Sequence, residues 1–206
     1  LENANSVLFG ISGGGKSYAA KLEILRSLMF GTEVIVIDPE NEYEYLAETI
    51  GGAFVKISLT SENHLNPFDL PKPQEGENPA DILRSNIINL VGLLRIMFGG
   101  LTPEEDALID TAITQTYASR DTTPTMSDLK TILDSMAGAE SLSRRLEKYV
   151  SGSYAGFLNN PTNLEIKNKL VVFSIRDMEE ELRPVAMYII LHFIWNLVRS
   201  ELKKRI

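Results

Sequence analysis

Residues 10–17 read Gly10-Ile11-Ser12-Gly13-Gly14-Gly15-Lys16-Ser17, and they follow directly on the apolar run Val7, Leu8, Phe9. The spacing is G-x-x-x-x-G-K-[ST] in full. Glycines let the main chain curl until successive amide N–H groups point inward as an anion-binding concavity, and a helix starting where the loop ends adds the positive end of its dipole. A lysine at that point reaches the β and γ phosphates of a nucleotide, and the hydroxyl after it can ligate Mg²⁺. A bare strand-to-helix turn has no need of Lys16 and Ser17. The expected site is therefore Gly10, Ile11, Ser12, Gly13, Gly14, Gly15, Lys16, Ser17 and Tyr18 around the phosphates of ATP, with Ser17 as the Mg²⁺ ligand.

The flanks set the fold class. Val7–Phe9 is expected to be the strand that feeds the loop. Residues 17–30 lack Gly and Pro and place Ala20, Leu22, Leu25, Leu28 and Met29 mostly along one side, as a helix packed on a sheet requires. Val34–Asp38 (VIVID) is a short β-branched run ending in an acid, the pattern of a parallel strand buried on both faces. A helix over 41–50, a break at Gly51-Gly52 and a strand over 53–58 follow. Leu170–Ile175 (LVVFSI) repeats the buried-strand pattern, and Pro184 opens a long apolar helix running to Arg199 and the basic residues Lys203, Lys204 and Arg205.

Between these segments the style changes. Residues 71–79 are rich in proline and acid, and after them only helical patterns appear up to Asn160: 82–98, 104–118 after Pro103, a helix to Met136 capped by Ser127 and Asp128, and 141–150. The sequence thus predicts an α/β core with a parallel sheet, built from residues 1–70 and 165–206 and interrupted by an all-α insertion over 71–164.

Binding and hydrolysis are separate matters, because hydrolysis needs a carboxylate for Mg²⁺ and another to orient water, and the loop supplies neither. The next acids are Asp38, Glu40 and Glu42 in DPENEY. Ligands of parallel sheets lie at the carboxyl ends of strands, so these acids and Arg176, which follows LVVFSI, are candidates for the same crevice. Two readings compete. In one, Glu40 or Glu42 meets the nucleotide or the attacking water, Asp38 lines the site and Arg176 stabilises charge. In the other, Asp38 merely ends its strand, the acids serve the next helix, and Arg176 pairs with Asp177. His64 and His192 have no ligand-spaced partners and are expected to be structural; Phe193 and Trp195 are expected in the core.

Composition excludes other classes. The chain of 206 residues is 44% hydrophobic, enough for a sizeable core. It has no cysteine and two histidines, which leaves no disulfide and little scope for zinc, and fits a reducing compartment. Its formal charge of −8 opposes binding of nucleic acid by bulk electrostatics, and Arg144, Arg145 and Lys148 form only one small basic cluster. Residues 1–6 do not resemble a secretory signal, and the apolar stretch 185–198 is short for a membrane span and carries His192 and Asn196.

GISGGGKSYAAK, VIVIDPENEYEYL, LNPFDL, YVSGSYAGFLNNPTN and LVVFSIRDMEEELRPVAMYIILHFIWNLVRSE resemble, in that order, the conjugative-transfer ATPases of type IV secretion systems, the VirB-four, TraC, TrbE and CagE group of the HerA/FtsK superfamily. The resemblance implies a RecA-like motor core with an all-α insertion, hexameric in its working state, acting with other secretion subunits at the cytoplasmic face of the bacterial inner membrane, with peripheral membrane association through those partners. It implies that Lys16 and Ser17 hold the nucleotide. The apolar strand ending in Asp-Glu and the arginine supplied by a neighbouring subunit have no counterpart here, so the chain is expected to be the amino-terminal portion of a longer ATPase domain. A nucleotide-gated assembly module without turnover of its own, and a DNA translocase or coupling protein, are the alternative readings.

Overall fold

The computed structural model describes residues 5–202, with side chains to Arg199. Contacts divide the chain into two units, residues 1–55 with 166–176 and residues 56–165 with 177–206. This boundary, set by packing, falls at different residues from the change in composition near 71 and 165: residues 56–70 and the last long helix pack with the helical unit.

The first unit is the α/β part. Helix α1 (Lys16–Met29) leads into strand β1 (Val34–Asp38), followed by α2 (Glu44–Thr49), β2 (Ala53–Lys56) and, far along the chain, β3 (Leu170–Ser174). The sheet order is β1-β3-β2. β1 and β3 are parallel, with Val34 opposite Leu170 and Asp38 opposite Ser174. The central position of β3 explains its composition: all five residues are buried, and four of them, Leu170 to Phe173, are apolar on both faces, with Ser174 at the carboxyl end. Ala47, Leu170 and Val172 form the buried centre, and Ile24 and Leu28 of α1, Val34 and Val36 of β1, Leu46 and Phe54 close over it. Burying a side chain such as Val172 contributes about 1.5–3 kcal/mol.

Two local expectations are corrected here. Val7–Phe9 is not a strand: among the described residues no strand pairs with it, and Phe9 is 88% exposed. Three apolar residues acquire strand geometry only with a hydrogen-bonded neighbour. The helix expected from residue 41 begins at Glu44, because the Asp38 carboxylate holds the chain in a turn until Tyr43 and Asn41 takes a left-handed φ of 61°.

Beyond Lys56, the regular elements of the second unit are helices among the described residues: α3 (Pro79–Met97), α4 (Pro103–Ala118), α5 (Met126–Ser135), α6 (Glu140–Val150), the single turn α7 (Ala155–Leu158) and α8 (Arg183–Leu202), the last preceded by a 3₁₀ turn, Glu180–Leu182. Its termini are written in the sequence. Asn78 caps α3 through the Ala80 amide, and Thr102 with Glu105 forms a reciprocal capping box ahead of α4. For α5 the expected cap shifts: Thr125, not Ser127, stands before the helix, and its amide and hydroxyl donate to Asp128 at 2.8 and 3.0 Å. Ser127 donates instead to Asn159.

Asparagines stitch the connecting segments. The Asn66 amide donates to Thr162 Oγ1 at 2.7 Å, its side chain donates to the Pro124 carbonyl at 2.8 Å and accepts from the Phe68 amide at 3.1 Å. Asn163 accepts from the His64 amide and donates to the Glu62 carbonyl. LNPFDL and NNPTN thus hold each other across nearly a hundred residues of chain. Tyr117 donates to the Phe68 carbonyl at 2.7 Å and accepts from Asn86, and burial pushes its phenol well above the usual range.

Helix α8 buries Val185, Ala186, Ile189 and Ile190, whereas Trp195 is 63% exposed and is not the core residue expected. Its apolar residues encircle the helix, and one flank suffices for packing on α3. No helix among the described residues is long and apolar enough to cross a membrane.

Two substitutions test this packing. A Cβ at Gly156 would strike the Leu59 carbonyl oxygen, a backbone atom that cannot swing away. Gly156→Ala is expected to lower unfolding free energy by about 1–3 kcal/mol in urea titrations. Asn66→Ala strips partners from the Phe68 amide and Pro124 carbonyl and is expected to cost about 2–4 kcal/mol by the same measurement.

Candidate nucleotide site

The direction of α1 follows from its connections. Four residues separate its end from the start of β1, and Ile24 and Leu28 pack with Val34 and Val36, so its amino terminus lies toward the carboxyl ends of β1 and β3. Those ends are level: Asp38 is opposite Ser174, and the Ile175 amide donates to the Asp38 carbonyl at 3.3 Å. The glycine loop, the DPENEY turn and Arg176 therefore come to one edge of the unit, the edge where parallel sheets bind ligands.

The loop is closed by its own lysine. Lys16 Nζ donates to the Gly10 carbonyl at 2.8 Å and to the Ile11 carbonyl at 2.9 Å. The Gly14 amide donates to the Ile11 carbonyl at 3.1 Å. Gly13 and Gly15 have φ of 75° and 81°, where an L side chain is strained. Gly15 is the residue before α1, and the first helical amide with a backbone acceptor is that of Ala19, bonded to Gly15. The amides of Lys16, Ser17 and Tyr18 are the orphan donors of the first turn. An ammonium has three N–H donors, so Lys16, with two engaged, has one left to offer.

A phosphate chain fits this arrangement. The loop is drawn in so tightly that a Cβ at Gly10 would come within 3.0 Å of the Lys16 side chain and one at Gly14 within 3.0 Å of the Ile11 carbonyl. For Mg²⁺ the donor set would be the hard hydroxyl oxygen of Ser17 with phosphate oxygens and water, the usual partners of that ion. Among the described residues no cluster of three or more His, Cys, Asp or Glu side chains forms a metal site independent of a nucleotide.

The predicted acids separate by their partners. Asp38 is 2% exposed, and its two carboxylate oxygens accept from the Glu40 amide at 3.2 Å and the Tyr43 amide at 2.9 Å. Asn41 Nδ2 donates to Glu44 Oε2 at 2.6 Å. The Glu40 and Glu42 side chains are exposed. Arg176 is exposed one residue past the buried Ile175, and Tyr18 is exposed on the first turn of α1. Lys21 and Tyr43 lay outside the sequence reading, yet Lys21 Nζ sits 5.4 Å from the Tyr43 ring centroid and fastens the DPENEY turn beside α1. The signal was present, since Lys21 is four residues beyond Ser17 and on the same helical face.

Other candidates are accounted for elsewhere. His192 faces Asn196 at 3.0 Å, and burial lowers its pKa; the His64 amide is held by Asn163. Arg145 binds Glu105 at 2.9 Å and the Phe98 and Gly100 carbonyls, Arg144 donates to the Glu140 carbonyl, and Lys148 covers the rings of Tyr149 and Tyr154. That basic cluster is engaged by protein. A cavity of about 300 Å³ between Leu28, Met29, Gly52 and Leu170 lies at the amino ends of the strands, away from the loop.

Residues 1–180 match the AAA-like domain family. Among solved structures, VirB4 of Thermoanaerobacter pseudethanolicus is similar with a TM-score of 0.79 and 25% identity, covering 90% of this chain and 76% of that chain. No curated protein matches the chain. The likeness to VirB4 agrees with the α/β architecture and parallel sheet described above. With the matched region spanning the glycine loop, the sheet and the helical unit as far as residue 180, the chain belongs to the AAA-like domain family.

Proposed function

We propose that this chain is the nucleotide-binding part of a type IV secretion ATPase, in which residues 10–18 hold Mg·ATP and its hydrolysis energises assembly and transfer. The observation that carries the reading is the preset loop: an ammonium already anchored on two carbonyls, with left-handed glycines and free first-turn amides around it. Bound Mg·ATP would supply the scissile γ-phosphoryl group and the charge the loop is shaped to neutralise. Lys16 holds the phosphates with its remaining N–H, the amides of Gly13, Gly15, Lys16, Ser17 and Tyr18 face them, and Ser17 offers its hydroxyl to the metal. Glu40 and Glu42 are the acids available to water, and Arg176 adds positive charge at the same edge. Asp38 contributes by fixing the turn that presents those acids.

Likeness to VirB4 and membership of the AAA-like family support the secretion role. The same reading takes residues 1–70 and 165–206 as the motor core and 71–164 as the insertion, with a homohexamer working beside other secretion subunits at the inner membrane. The engaged state of Arg144, Arg145 and Lys148 speaks for protein partners over a nucleic-acid track.

Isothermal titration with a non-cleavable ATP analogue and Mg²⁺ tests the loop. The chain is expected to bind, and Lys16→Ala to weaken binding at least tenfold, the loss of a charge-assisted hydrogen bond, with its thermal midpoint unchanged. Undiminished affinity in Lys16→Ala would refute the assignment. Gly15→Ala is expected to combine weaker binding with about 1–2 kcal/mol of lost stability, since alanine must hold a φ of 81°.

A further inference from the structure

Helices α3 and α8 run antiparallel and leave one shared face uncovered. At one end the Arg199 guanidinium pairs with Glu77, just ahead of α3, at 2.8 Å. About three turns earlier on α8, Tyr188 donates to the Asn89 carbonyl at 3.0 Å and lies so close over Gly92 that a Cβ there would meet its oxygen at 2.7 Å. Gly92 and Ile88 share a face of α3, while Tyr188, Leu191, Trp195 and Val198 recur at the three- and four-residue steps of a single stripe on α8. The two stripes therefore lie side by side. Ile88 is 64% exposed, Leu191 52%, Trp195 63% and Val198 38%. Apolar residues scattered singly on a surface need no explanation; a strip of them across two helices does.

The size and charge of the strip say what fits it. At those exposures it offers about 400 Å² of apolar surface, in the range of the patches that are functional on monomers. Two such strips face to face cover about 800 Å², and the polar rim of a contact brings the total to about 1,200 Å², the size at which specific association becomes stable. Charge then selects the partner. From Val185 to Val198 α8 has no Asp, Glu, Lys or Arg, and around the strip opposite charges are already matched within one copy: Asp81 with Arg84, Arg95 with Asp106, Glu77 with Arg199. Two copies of a chain of formal charge −8 repel one another, and a face whose charges are matched within itself is where that repulsion is least. An anionic bilayer needs unpaired cations beside the apolar stripe, which those ion pairs do not offer.

We propose that the α3/α8 face is a two-fold docking surface for a second copy of this chain, the two helix pairs closing into a four-helix bundle with Leu191 and Trp195 in its seam. The contact is isologous, so one strip serves both copies and association closes at two. It differs from the head-to-tail contact of a ring, involves no residue of the glycine loop, and goes beyond the nucleotide reading. A tryptophan that loses its water in such a contact is the residue type that contributes most to holding it. Bundling four helices covers the apolar stripe that each pair leaves wet.

The test follows the whole chain without nucleotide by sedimentation equilibrium over about 1 to 500 µM, together with the emission of Trp195, the single tryptophan. Self-association with a dissociation constant on the order of 10 µM is expected, with a blue shift of emission over the same range. Trp195→Glu and Ile88→Lys are each expected to weaken it at least tenfold while the thermal midpoint of dilute protein holds, because both side chains are exposed in the single copy. Met29→Glu, at an exposed apolar position of the α/β unit, is expected to leave it unchanged. Since the chain has no cysteine, Leu191→Cys treated with a short bismaleimide is expected to give a covalent dimer, and Met29→Cys none. The proposal is overturned by a chain that stays monomeric across the range, by association that survives Trp195→Glu and Ile88→Lys together, or by a Trp195 shift that vesicles of anionic lipid produce and concentration does not. Species larger than a dimer that the same variants abolish overturn the two-fold assignment. None of these outcomes touches the nucleotide reading, which titration with the ATP analogue tests separately.

Discussion

An ammonium group resting on two carbonyl oxygens of its own loop imposes demands on everything around it. For Lys16 to reach the Gly10 and Ile11 carbonyls, five intervening residues must fold back within a few ångströms, which requires left-handed backbone at Gly13 and Gly15 and no side chain at the points of closest approach. The curl in turn leaves the first amides of α1 unpaired, and such donors are tolerable only where water or an anion can reach them. The loop therefore has to sit at an open edge. Packing of α1 on β1 puts it there, level with the carboxyl ends of two parallel strands.

The same reasoning explains how an acid is tolerated at the end of a buried strand. A carboxylate as enclosed as that of Asp38 is stable only if its oxygens are hydrogen-bonded, and two backbone amides from the following turn meet the need. Both carboxylate oxygens of Asp38 are thus engaged by the backbone of the turn. What it provides is a fixed platform, and the acids worth considering for chemistry are those that the platform leaves in solvent.

Much of this was legible in the sequence because local rules and tertiary packing agree. VIVID and LVVFSI are β-branched and apolar without alternation, and both became strands of a parallel sheet. Pro103 after Thr102 marked the start of α4 to within one residue. The failures occur where a distant partner decides. Val7–Phe9 has the composition of a strand but no neighbour among the described residues, and the delayed start of α2 depends on a side chain six residues upstream of Glu44. Trp195 was misplaced because a helix apolar on all sides does not announce which side is covered. The clamp between Lys21 and Tyr43 joins two elements by a contact that no spacing rule within either could contain, although the four-residue step from Ser17 hinted at it.

The most recognisable segments of the chain also divide by physical role. NPFDL and NNPTN look as distinctive as DPENEY, yet their asparagines are occupied with backbone groups of the helical unit: Asn66 with Pro124 and Phe68, Asn163 with His64 and Glu62. Asparagine suits this work because one amide group both donates and accepts, so it can replace a missing ladder of backbone bonds between irregular segments that are otherwise buried. Proline after asparagine keeps those segments extended and out of helix, which brings such stitches within reach. A specific sequence pattern is thus evidence of a specific constraint, and only the partners of its side chains reveal whether that constraint belongs to folding or to chemistry. By that measure the helical unit's motifs maintain its interior, while the side chains left facing solvent beside the glycine loop and the turn that Asp38 holds are spoken for by no such stitch.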